Sequence, residues 1–74
     1  MNDHEPLVTE EERLLQARLA ELRQEHADLD ASIEALGLVP TPDQLMIARL
    51  KRKKLTLRDE IVKIEARILP DIIA

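Results

Sequence analysis

The chain contains no cysteine, no aromatic residue and a single glycine among its 74 residues. Without cysteine it forms no disulfide, no thiolate zinc site and no thiol redox centre. Without aromatic rings it lacks the side chains on which single-stranded nucleic acids stack. No apolar run approaches the roughly 20 residues that span a bilayer. The core must therefore be built from aliphatic side chains alone.

The first residues also lack a secretion signal. Segment 1–6 carries neither a basic block nor an apolar block. Together with the absence of cysteine, this leads us to expect a cytoplasmic protein. The chain length allows one small domain, near the size at which a core alone is marginally stable.

The net charge of −4 is unevenly distributed. Residues 1–37 carry ten acidic and three basic side chains, a net charge of −7, whereas residues 38–74 carry five and eight, a net charge of +3. The overall acidity argues against general affinity for nucleic acid or anionic membranes. An acidic helix folded back on a basic one gains weak favourable electrostatics.

Two segments show the alternating three- and four-residue spacing of apolar side chains that is typical of a coiled-coil seam. The first consists of Leu15, Leu19, Leu22, His26, Leu29, Ile33 and Leu36. The second consists of Ile47, Leu50, Lys54, Leu57, Ile61, Ile64 and Ile68. One polar residue interrupts each seam. The sequence therefore predicts an all-α fold, an antiparallel two-helix coiled-coil hairpin.

Local signals mark the start and end of the first helix. Thr9 and Glu12 have the spacing of a capping box, which predicts a helix over about 9–36. Gly37 is expected to end this helix in the left-handed conformation.

The second helix has its own signals. Thr41 followed by Pro42 predicts an N-cap and a first helical residue, so the helix covers about 42–69, within a hairpin over 9–69. Pro70 ends it. The remaining segments are then a flexible arm 1–8, a turn 37–41 and a C-terminal tail 70–74.

Two registers of the hairpin satisfy the heptad pattern. The first pairs Leu36 with Ile47 beside the turn and Leu29 with Lys54 in the middle. A slip of one heptad pairs Leu22 with Lys54 instead. The first register uses more of both helices and is preferred, but the tight turn leaves the second open.

A further apolar stripe of the second helix has no partner within one hairpin. Its members recur every seven residues: Ala48, Leu55, Val62 and Leu69. The first helix carries a matching run of small residues, namely Ala17, Ala20, Ala27, Ala31 and Ala35. Apolar surface this wide needs more than one helix to cover it. We therefore expect a homodimer that forms a four-helix bundle.

His26 is flanked by the carboxylates of Glu25 and Asp30. One interpretation is a catalytic or metal-binding histidine that Asp30 orients. The other is a buried polar layer in which the ring N–H of His26 donates a hydrogen bond to a neighbouring carboxylate. Metal sites need three or four ligands, and the other histidine, His4, lies in the arm. Since a polar residue in a seam typically fixes register and oligomeric state, the structural interpretation is preferred.

Lys54 is interpreted in the same way. Its aliphatic stem is expected to lie along the seam while its ammonium group extends toward Asp28 or Glu25. In the first register His26 and Lys54 fall in adjacent layers.

The second helix also contains the densest charge cluster of the chain, formed by Lys51, Arg52, Lys53 and Arg58 around Lys54. It is either a patch for phosphate, nucleic acid or an acidic partner, or a solvated face paired with the acidic first helix. The missing aromatic residues favour the second interpretation.

These elements together resemble a known family. Glu25-His26, Leu29-Asp30 and the segment 50–61, LKRKKLTLRDEI, resemble the YdcH-like family of small bacterial proteins of unknown function over about 19–64. Arg58 stands where lysine is common in that family. The resemblance implies a cytoplasmic bacterial helical hairpin without a known activity. It also adds Asp59 to the predicted polar layer of His26, Asp30 and Lys54.

The sequence as a whole predicts a non-enzymatic interaction or scaffold module that forms a homodimer. No cofactor and no metal are expected. An unidentified protein partner is compatible with this role. The alternative is a nucleic-acid or phosphate binder that uses the basic cluster at the start of the second helix.

Overall fold

The computed structural model of the chain describes residues 9–68, so the predicted arm 1–8 and tail 70–74 lie outside the described residues. This part of the chain forms two helices and no strand: α1, Glu10–Gly37, and α2, Gln44–Ile68. The two helices pack against each other along their lengths as a hairpin. The predicted all-α hairpin is therefore confirmed.

The start of α1 is the predicted capping box. The hydroxyl of Thr9 accepts the backbone N–H of Glu12 at 3.0 Å, and the Glu12 carboxylate accepts the N–H of Thr9 at 3.3 Å. Three glutamates in the first turn also face the positive end of the helix dipole. The capping box that the sequence predicts thus marks the start of α1.

The end of α1 differs from the expectation. Gly37 is the last helical residue, and no residue between 9 and 68 has a positive φ. Leu38 follows with φ −89° and ψ −9°, and its N–H donates to the carbonyl of Ala35 at 3.2 Å. A right-handed i→i−3 hydrogen bond therefore closes the helix, so the predicted left-handed Gly37 is wrong.

The cap of α2 also differs from the expectation. Asp43, and not Thr41, caps this helix: its carboxylate accepts the N–H of Met46 and its carbonyl accepts the N–H of Ile47, both at 3.0 Å. With the cap at Asp43, Pro42 stays outside the helix. Pro42 is half-buried and Ile47 is buried, at the two positions of a hydrophobic staple.

The interface between the helices is the predicted seam. All fourteen seam positions are buried or half-buried. Among the other residues of 9–68, only Glu12, Pro42 and Glu65 are half-buried as well. The core is one layer of side chains thick. Its buried members are Leu19, Leu22, Ile47 and Leu57, of which Leu22 is fully enclosed.

Ion pairs between the helices distinguish the two registers. The first register places Lys54 opposite Leu29. The Nζ of Lys54 lies 2.5 Å from the carboxylate of Asp30, the residue that follows Leu29. The slipped register would put Lys54 opposite Leu22, about 12 Å along the axis from Asp30. It would also separate Arg23 from Glu65 by about 18 Å, whereas their side chains are 2.5 Å apart. The hairpin adopts the first register.

Candidate interaction surfaces

The polar residues in the middle of the seam form one asymmetric cluster. Lys54 lies in the seam with its side chain about one third exposed, and its ammonium group donates to Asp30 on the flank of α1. The predicted acceptors, Asp28 and Glu25, are not used. Glu25 lies on the other flank of the seam, and Asp28 faces outward and accepts the amide of Gln24 at 3.0 Å.

The other two predicted members of the polar layer lie apart from this pair. His26 is half-buried in the seam, and its ring makes no hydrogen bond to any residue in 9–68. Asp30 was expected to accept a hydrogen bond from the His26 ring, but it accepts a hydrogen bond from Lys54 instead. Asp59 is exposed on the outward face of α2, away from the seam. The structure thus brings together Lys54 and Asp30, with His26 one turn from Asp30.

The Lys54 contact controls the ionisation of Asp30. The hydrogen bond from Lys54 holds the pKa of Asp30 below its ordinary value of 3.8, against the opposing effect of desolvation. Electrostatic interactions with Lys54 and His26 lower this pKa further. The carboxylate therefore stays ionised across the physiological pH range.

This lowered pKa predicts an acid-sensitive contribution to stability. A carboxylate whose pKa is lower in the folded state stabilises the fold above its unfolded value, and this stabilisation disappears as the pH falls through the folded value. Asp30→Asn should therefore lower the melting temperature slightly at about pH 7, and this difference should shrink as the pH falls below the ordinary pKa of 3.8.

Circular dichroism melts across this pH range test the prediction. Asp28→Asn is the matched control, because it removes the same charge from the outward face of α1. A melting difference between wild type and Asp30→Asn that persists at the acid end would show that the asparagine itself, and not the lost ion pair, is responsible.

Three more ion pairs join the helices at exposed positions. They are Arg23 with Glu65 at 2.5 Å, Arg67 with Glu11 at 2.8 Å and Arg18 with Glu60 at 3.8 Å. Two of them take the arginine from the acidic α1 and the glutamate from the basic α2. Exposed pairs of this kind contribute only tenths of a kcal/mol each. Of the three, Arg23 with Glu65 supports the first register, whereas the other two pairs do not distinguish it from the slipped one.

The basic cluster is a solvated face that is not paired with α1. Lys51, Arg52, Lys53 and Arg58 are all exposed, and none of them makes an ion pair with another residue of the described part of the chain. The predicted pairing with α1 is therefore wrong. Lys54, in the middle of the cluster, is the member of this run that pairs with α1, through Asp30.

The predicted dimer stripe lies in solvent in the single hairpin. Leu55 is 63% and Val62 is 52% exposed, and Ala48 is exposed as well. Leu69 lies outside the described residues. The small residues of α1 are also exposed, namely Ala17, Ala20, Ala27, Ala31 and Ala35. Both helices thus present apolar surface that the hairpin does not cover.

The exposed apolar surface of α2 extends beyond the predicted stripe. Leu45, 67% exposed, and Ala66 lie on the same side of α2 as Leu55 and Val62. The sequence contains a signal for both residues, because each lies three or four positions from a member of the stripe and therefore on the same face of the helix. The predicted stripe takes only one position per heptad and therefore does not include Leu45 and Ala66.

Among residues 9–68, no three histidine, aspartate or glutamate side chains converge as a metal site requires. Neither α1 nor α2, over the residues the structure describes, has a stretch of the length and hydropathy needed to cross a bilayer.

Comparison with known proteins gives one match. The family model described as "Protein of unknown function (DUF465)" matches residues 19–65. No significant match was found among curated proteins or among solved structures. The matched segment contains His26, the Lys54–Asp30 pair, the basic cluster and most of the exposed stripe.

Proposed function

The chain belongs to the DUF465 family, whose function is unknown, and from its surfaces we propose that it is a non-enzymatic interaction module that forms a homodimer of helical hairpins. One observation carries this proposal. Leu55 and Val62 recur with heptad spacing on α2 and are more than half exposed in the single hairpin. Large apolar side chains that recur exposed along one face of a helix mark a surface that another protein covers.

The thin core supports the same proposal. Only four side chains of the described hairpin are buried, and small domains with so few buried residues usually gain stability from a disulfide, a metal or oligomerisation. The chain has no cysteine. A second copy supplies additional apolar burial at about 25 cal/mol per Å2.

Light scattering on the intact chain tests the homodimer. At tens of micromolar the mass should be about twice 8.5 kDa. The melting temperature should rise with protein concentration, because association stabilises the folded state by mass action. A monomer that melts sharply at a temperature independent of concentration would overturn the proposal.

The family assignment carries a proposal about cellular context. We infer that the resemblance to the YdcH-like family and the DUF465 match describe the same family, since they cover nearly the same residues, 19–64 and 19–65. On this basis the protein is bacterial and cytoplasmic. The absence of cysteine agrees with a reducing compartment.

A second candidate function is binding of a polyanion through Lys51, Arg52, Lys53 and Arg58. The observation that favours it is that these four side chains are exposed and make no ion pair with another residue in 9–68. The chain's net charge of −4 and its lack of aromatic residues weigh against it.

We therefore predict no binding to short duplex or single-stranded DNA tighter than about 10 μM at physiological salt. Fluorescence anisotropy over a salt series measures it. A tight, salt-sensitive complex that Lys51→Glu plus Arg52→Glu abolishes would favour the second candidate. Arg13→Glu plus Lys63→Glu, with the same charge change outside the cluster, should retain such a complex.

A further inference from the structure

The outward face of α2 carries a second heptad seam. Its positions follow the three-and-four spacing over seven residues: Leu45, Ala48, Arg52, Leu55, Asp59, Val62 and Ala66. All seven are exposed. At 100° per residue the centre of this outer seam lies about 150° around the helix from the seam that packs on α1. The outer seam therefore faces away from the rest of the hairpin.

Two charged residues of opposite sign interrupt the outer seam. Arg52 and Asp59 are one heptad apart, and within residues 9–68 neither side chain forms an ion pair. Every other member is apolar. A surface of this kind fits a partner that offers an apolar stripe with the same two charges in the opposite order.

A second copy of α2, turned antiparallel, is such a partner. We propose that two hairpins associate through their outer seams about a two-fold axis, so that Arg52 of each copy pairs with Asp59 of the other. This inference rests on the proposed homodimer and deepens it by assigning its face, its orientation and its charge pair. Two-fold symmetry makes the interface self-complementary and forms the ion pair twice.

One antiparallel register satisfies the layers of the outer seam. It places Leu55 opposite Asp59 of the second copy, Arg52 opposite Val62, and Ala48 opposite Ala66. The Ala–Ala layers allow close approach, and the stem of Arg52 packs along Val62. Arg52 and the Asp59 of the second copy then lie in adjacent layers, about 4.5 Å apart along the axis.

The parallel orientation places like charges together. In it Arg52 would face Arg52 and Asp59 would face Asp59, and both contacts are repulsive. In the antiparallel dimer the flanking positions bring Lys51 toward Glu65 of the second copy, which is attractive, but they also bring Arg58 toward Arg58 and Arg49 toward Lys63, which is repulsive. These flanking effects oppose each other. The pair within the outer seam decides the orientation, while the apolar layers provide the affinity.

Charge reversal tests the assigned pair. Arg52→Asp alone and Asp59→Arg alone should each weaken the dimer about tenfold or more, as analytical ultracentrifugation measures it. The double variant should return to within about threefold of wild type. A 1:1 mixture of the two single variants should form the heterodimer preferentially in native mass spectrometry, because both ion pairs are then restored. Arg13→Asp on α1 is the matched control and should leave the dimer unchanged.

Single cysteines test the orientation, since the chain has none of its own. A short bis-maleimide should cross-link a mixture of Ala48→Cys and Ala66→Cys chains, and neither variant alone. Cross-linking of each variant alone, or a double charge variant that remains as weak as the single variants, would overturn this inference and leave the homodimer standing. A monomeric wild type would overturn both.

Discussion

Replacing Leu55 and Val62 together by glutamate is expected to convert the dimer into monomers. The two side chains are the large apolar residues in the middle of the exposed stripe of α2. In the proposed antiparallel dimer the two new carboxylates at position 55 would be buried opposite Asp59 of the other copy without a partner, whereas those at position 62 would face Arg52. Burial of an unpaired polar group costs about 2 kcal/mol or more. Since about 1.4 kcal/mol is a factor of ten, dimerisation should weaken by more than 100-fold.

Light scattering measures the mass of this variant, and circular dichroism measures its helical content. Gln16→Glu plus Ser32→Glu is the matched control, because it adds the same two charges at exposed positions of α1 outside the stripe. The control should remain dimeric. Loss of helical signal in the Leu55/Val62 variant would show that the stripe also stabilises the hairpin. A variant that stays dimeric would exclude this face from the interface.

The second large effect is expected at His26. Its ring occupies a seam position opposite Leu57 and makes no hydrogen bond within the described hairpin. Leucine at this position removes a desolvated polar group and adds apolar contact, so His26→Leu should leave the free energy of unfolding unchanged or raise it by about 1–2 kcal/mol. His26→Ala should lower it, because it leaves a void in the seam.

The cost of His26→Leu should appear as lost specificity. A polar residue in a seam disfavours other registers and oligomeric states. Thermal melting together with sedimentation velocity on both variants separates stability from uniqueness, and the leucine variant should show a changed or mixed oligomeric state. A leucine variant that folds and assembles like wild type, yet no longer binds a cellular partner, would make His26 a recognition residue instead.

Much of this fold could be predicted from the sequence because its long elements depend on periodicity. Every seam position is buried or half-buried, and the capping box at Thr9 forms as its spacing requires. The start of α2 after the turn is harder to predict, because Thr41 and Asp43 are both good N-caps and the local sequence does not choose between them. That choice depends on where the two seams must meet.

The polar contacts were harder still. Heptad spacing places Lys54 in the seam, but it does not tell which flank its long side chain will follow. The flank is decided by the register and by the position of Asp30, which lies beside the residue opposite Lys54. Both are properties of the folded hairpin. The absence of ion pairs in the basic cluster has the same origin: the balance of charges along a sequence does not say which carboxylate lies within reach.

The turn between α1 and α2 has a consequence for how copies of this chain avoid exchanging helices. Its backbone, over residues 38–43, contains no left-handed residue, and Leu38 keeps nearly helical angles. Nothing in the conformation of Gly37 prevents α1 from running on into α2 as one long helix. Pro40 and Pro42 prevent it, because proline in a helix interior removes a hydrogen bond and clashes with the preceding turn. These two prolines, more than the glycine, close the route to helix exchange that runs through one continuous helix.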